Sequence, residues 1–70
     1  MQTAMTKRTT AVRTGLDLKL ARVAAGVTQT DLARQMGIWR QTVSVVEGSL
    51  RPRPRVVEHY LKALHELADR

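Results

Sequence analysis

The chain has 70 residues, no cysteine and 43% hydrophobic residues, with Trp39 and Tyr60 its only aromatics, a composition that suits one small helix bundle better than a β-barrel. The lack of thiols excludes disulfides and thiolate zinc sites, so helix packing alone must form the core. The net charge of +6 resides in residues 1–15, with Lys7, Arg8 and Arg13, and in residues 51–55, with Arg51, Arg53 and Arg55; elsewhere six acids balance six bases. Such segregated positive charge points to phosphate partners. There is no apolar run long enough to span a membrane and no apolar stretch behind Lys7 and Arg8 to make a signal peptide, so a cytoplasmic protein with no membrane partner is expected.

Residues 1–14, rich in Thr and poor in apolar groups, are expected to form a flexible basic arm, and residues 15–70 a single domain. Lys7 and Arg8 then meet DNA backbone; a plain solubilising tail is the competing reading. Thr14 can cap a helix from about Leu16 to Ala25, with Leu18, Ala21 and Ala25 inward and Gly26 ending it.

Thr28 can cap a second helix, and Asp31 completes a capping-box spacing with it. Leu32, Ala33 and Met36 recur at helical spacing, and small Ala33 lets another helix approach closely. Gly37 then suits a left-handed C-terminal turn and Ile38 a plug between helices, so a third helix must begin near Trp39. On it Val43 and Val46 share one face. Arg40, Gln41, Ser44 and Val45 are left for another surface, and their chemistry matches base edges: Arg suits guanine, Gln adenine, and a Val methyl a thymine methyl.

Arg51-Pro52-Arg53-Pro54-Arg55 cannot continue a helix, because each proline disfavours helical backbone before it and removes an amide donor. An extended basic loop is expected, with Pro54 opening a last helix whose N-terminus attracts phosphate. Val57, Leu61 and Leu64 form the inner stripe of that helix, while Tyr60, Leu67 and Ala68 are read as apolar surface left for a partner.

From Leu18 to Leu64 the sequence resembles the helix-turn-helix class of Cro and C1-type repressors and the Xre-like group. The resemblance rests on Arg22, Gly26, Val27-Thr28-Gln29, Leu32-Ala33, Gly37-Ile38, Arg40, Thr42-Val43-Ser44 and Glu47. It implies an all-α, compact four- to five-helix lambda-repressor-like DNA-binding domain. It also implies backbone contacts from Thr28, Gln29, Thr42, Arg51 and Arg53, an arginine in or beside the minor groove at Arg55, and a buried structural ion pair between Arg22 and Glu47. Trp39 departs from the family, which usually has Ser or Thr there as a cap. Two readings of it stand: a ring against DNA, or a hydrophobic plug against Leu50 or the helix turn.

The function expected is a sequence-specific regulator of double-stranded DNA, most simply a dimeric repressor on a palindromic operator. The alternative is an antitoxin-like or adaptor protein whose main partner is another protein, met through Tyr60 and Leu67. Catalysis is not expected. His59 and His65 do not share a helix face, no cysteine or carboxylate cluster stands ready for a metal, and Ser44 has no base beside it, so no metal and no cofactor are anticipated.

Overall fold

The computed structural model describes residues 13–69; Lys7 and Arg8, and the role expected for them, lie outside the described residues. Four helices follow in order: α1 Gly15–Ala24, α2 Gln29–Met36, α3 Arg40–Glu47 and α4 Pro54–Ala68. There is no strand among the described residues.

Three of the four helix starts have a local cause. Thr14 Oγ1 accepts from the Asp17 amide at 3.3 Å, and Asp17 Oδ2 accepts in return from the amides of Thr14 at 3.1 Å and Arg13 at 2.9 Å. These bonds from the Arg13 and Thr14 amides hold the Asp17 carboxyl below its ordinary value. Two residues of the expected arm are thus tied to α1. The reciprocal capping box expected at Thr28 is only half made, since Thr28 Oγ1 accepts from the Asp31 amide at 3.0 Å without a return bond. Pro54 opens α4, where its missing amide costs nothing.

The first two helices stop in the same way. Gly26 and Gly37 both take φ of 72°, the left-handed region that Gly enters without a Cβ penalty. In each case the next amide reaches back: Val27 to the Arg22 carbonyl at 3.2 Å and Ile38 to the Ala33 carbonyl at 3.0 Å. Val27 and Ile38 then pack against the core.

That core comprises Leu18, Leu32, Ala33, Met36, Val43, Tyr60, Ala63 and Leu64, one or more from every helix. Fully burying a side chain such as Leu18, Leu32 or Val43 stabilises by about 1.5–3 kcal/mol. Two expectations are corrected here. Ala25 is exposed, because the backbone is already turning at the end of α1. Tyr60 is not surface: it has no exposed area, and with Ala63 and Leu64 it forms the centre of the inner stripe of α4. Val57, Leu61 and Leu67 are half-buried beside it, so the partner face expected at Tyr60 and Leu67 is largely used up by the core.

Gly15 joins α1 to the end of α3. Its amide donates to the Ser49 carbonyl at 2.7 Å, and a Cβ placed there would lie 2.1 Å from the Val46 carbonyl oxygen. No other residue type allows that approach.

Candidate nucleic-acid interface

Helix α3 is anchored by its back. Val43 is completely buried, Val46 packs at the margin of the core and Glu47 is buried, whereas Arg40, Gln41, Thr42, Ser44 and Val45 are all exposed. The base-reading candidates Arg40, Gln41, Ser44 and Val45 therefore stand on a free surface of one rigid helix. Trp39 occupies the N-cap with no side-chain capping bond and is 81% exposed. Leu50 is 80% exposed. The plug reading of Trp39 is overturned: both side chains stand in solvent.

Behind this surface lies a polar network centred on Glu47. Arg22 Nε donates to Glu47 Oε2 at 2.7 Å, and Arg22 Nη2 to Oε1 at 3.2 Å. The remaining Arg22 nitrogen, Nη1, donates to the Val27 carbonyl at 2.8 Å, so the guanidinium also fastens the turn after α1. The Tyr60 hydroxyl lies 2.5 Å from Glu47 Oε2 and 3.1 Å from the Leu18 carbonyl; with one proton to give, its closer partner is the carboxylate. Burial opposes ionisation of Glu47, but bonds from Arg22, Tyr60 and Gln29 outweigh it and hold the carboxyl below its ordinary value. The same bond raises Arg22, and burial beside Glu47 pushes the Tyr60 hydroxyl well up.

Gln29 carries the network to the surface. Its Nε2 donates to Glu47 Oε1 at 3.0 Å, and its Oε1 accepts from Arg40 Nη1 at 3.3 Å. The side chain expected on phosphate is therefore engaged at both ends in the free protein. Its main-chain amide, at the first position of α2, is one of the donors a helix start leaves free. Thr28 next to it uses its hydroxyl oxygen as a cap, leaving the hydroxyl hydrogen to donate outward.

The loop after α3 is braced as well. Ser49 receives the Gly15 amide on its carbonyl and the Arg51 amide on its Oγ, the latter at 3.2 Å. Pro52 is half-buried, while Arg51, Arg53 and Arg55 are exposed, the last in the first turn of α4. His59 and His65 are exposed, and among the described residues no three His, Asp or Glu gather into a metal-binding group.

Sequence reasoning missed the Tyr60 hydroxyl and the bridging by Gln29. The signal for Tyr60 was available: a polar tip in the middle of the inner stripe of α4 needs a buried partner. For Gln29 there was none, because the bridge depends on how α2 and α3 cross.

A short helix held by its back, following a tight glycine turn and presenting polar side chains outward, defines the DNA-binding helix-turn-helix class. The profile of the helix-turn-helix domain family matches residues 13–69, and the chain belongs to that family, a Xre/Cro-like one. No curated protein and no solved structure matches it.

Proposed function

We propose that the protein is a sequence-specific regulator of double-stranded DNA that acts as a small dimeric repressor, occluding a promoter from a palindromic operator. The observation that carries this reading is the outward side of α3. Arg40, Gln41 and Ser44 are exposed together on a helix whose inner side is locked by Val43 and Glu47. One such helix reads only a few base pairs, and two copies on a two-fold symmetric site double the contacts at a spacing set by symmetry.

Roles divide by chemistry. Arg40, Gln41, Ser44, Val45 and Trp39 meet bases, while Thr28, Gln29, Thr42, Arg51 and Arg53 meet the backbone and Arg55 the minor groove. Selection from random duplex DNA at near-physiological salt tests the reading. A symmetric motif with half-sites about one helical turn apart is expected. A bound pool with no enriched sequence would refute it.

A second reading, an adaptor or antitoxin-like protein, draws on a different face from the one the sequence suggested. Leu16, Leu20 and Val23 are 56%, 57% and 57% exposed on one side of α1. A small protein recovered in equal amount with the chain from its native host would favour it.

A further inference from the structure

We infer that Val45 reads the 5-methyl group of a pyrimidine in the major groove, which makes the operator's recognition depend on thymine methyls; the inference rests on the operator-binding reading above. Val45 is 72% exposed although it belongs to one of the most apolar residue types. Its direction is set by the helix. At about 100° per residue, the direction opposite the buried Val43, Val46 and Glu47 falls between Gln41 and Val45. These two side chains therefore point most directly away from the domain, and Val45 lies one turn beyond Gln41.

The surroundings of Val45 argue against a protein-docking patch. Its helix-face neighbours are Gln41, Thr42, Gly48 and Ser49, none of them a large apolar residue, and the exposed Leu16, Leu20 and Val23 belong to another helix. A docking surface needs contiguous apolar area; the shallow depression that Val45 borders is completed by Val46, Pro52 and Val56, all three half-buried, and is rimmed by the exposed Arg51 and Arg53, whose charge suits phosphate.

In the major groove every base edge offers hydrogen-bond donors or acceptors, and the thymine methyl is the apolar exception. Against a donor or acceptor, Val45 would strip water without replacing the bond. Against a methyl group, both partners lose apolar surface to water. Val45 is also β-branched and nearly fixed in χ1 within a helix, so little rotamer freedom is lost on contact.

The test uses the duplex that selection returns. Each thymine of one half-site is replaced singly by uracil, which keeps the hydrogen-bonding edges and lacks only the methyl, and binding is measured for the parent and for Val45→Ala. At one position the parent should bind uracil roughly fourfold more weakly than thymine, the worth of one buried carbon group. Val45→Ala should bind the two equally there. The variant keeps its fold, because the site is exposed and Ala is the better helix former. Uracil tolerated at every position of a selected motif overturns the inference but not the operator reading. Equal loss in the parent and the variant overturns it too, by assigning the methyl to another residue. Absence of any selected motif removes both.

Discussion

Removing the Glu47 carboxylate should take away a large share of the domain's stability. Its two oxygens accept from Arg22 Nε at 2.7 Å, Arg22 Nη2 at 3.2 Å, Gln29 Nε2 at 3.0 Å and the Tyr60 hydroxyl at 2.5 Å. In Glu47→Ala, Gln29 can turn to water and Tyr60 can fall back on the Leu18 carbonyl. Arg22 cannot escape so easily: its side chain is only 9% exposed, and its one remaining bond is to the Val27 carbonyl. An uncompensated buried charge of this kind costs about 3–5 kcal/mol. A domain of this length has roughly 3.5–10 kcal/mol of stability in total. The assay is urea denaturation followed by far-ultraviolet circular dichroism, because Trp39 is 81% exposed and its fluorescence reports little of the core. Replacing both charges, as in Arg22→Met with Glu47→Leu, should cost less than Glu47→Ala alone, since no buried charge is then left unpaired. A loss below about 1 kcal/mol for Glu47→Ala, within the range of ordinary substitutions, would refute the reasoning.

Gly15→Ala should lose about 1–3 kcal/mol in the same assay, because its Cβ meets the Val46 and Glu47 backbone rather than a side chain that could move; an unchanged midpoint would show that α1 can shift freely. Trp39→Ser supplies the missing cap of α3 and should stabilise the free domain by about 1 kcal/mol while weakening operator binding, and unchanged affinity would remove Trp39 from the interface. Both Asp17 and Glu47 lie below their ordinary values of 3.8 and 4.5 in the folded state, so their contribution is fully present above those values and is lost as pH falls through and below them. The Tm should accordingly hold near neutrality and fall in acid below pH 4.5, less steeply in Glu47→Gln, and a Tm that rises on acidification would contradict the sign. Gln29→Ala and Arg40→Ala should each weaken operator binding, with a double variant less affected than the sum; strict additivity would mean that the two act separately.

The helix boundaries were largely legible because the punctuation is local: Thr14, Thr28, Gly26, Gly37 and Pro54 each act within a few residues. The buried Arg22 and Glu47 were legible as a pair through the family resemblance. The identity of the inner stripe of α4 was not, since apolar spacing alone allows Val57, Leu61 and Leu64 as readily as Tyr60, Ala63 and Leu64. What chose the second was the rotation of α4 against Leu18 and Glu47, where the Tyr60 hydroxyl finds its acceptors. The role of Gly15 was hidden for a similar reason. Its contacts are with Val46, Glu47 and Ser49, some thirty residues on, and no local rule reaches that far.

The Glu47 network also fixes the orientation of a surface side chain from within. An ionised carboxylate accepts and never donates, so the Gln29 amide nitrogen must face Glu47. The amide oxygen then has to face outward, where the only kind of group it can receive is a donor, and Arg40 at the start of α3 supplies one. Reversing the amide would set Nε2 against a guanidinium that also only donates, and both bonds would be lost. The same buried charge that holds α1, α3 and α4 together thereby orders Arg40, the first side chain of α3. On the proposed reading of Arg40 as a base contact, a guanidinium held before binding loses less rotamer freedom when it meets DNA. On that reading, stability and recognition are coupled at Glu47. A substitution there that left a folded domain would still release Gln29, and with it Arg40, and it should weaken operator binding even where the fold survives.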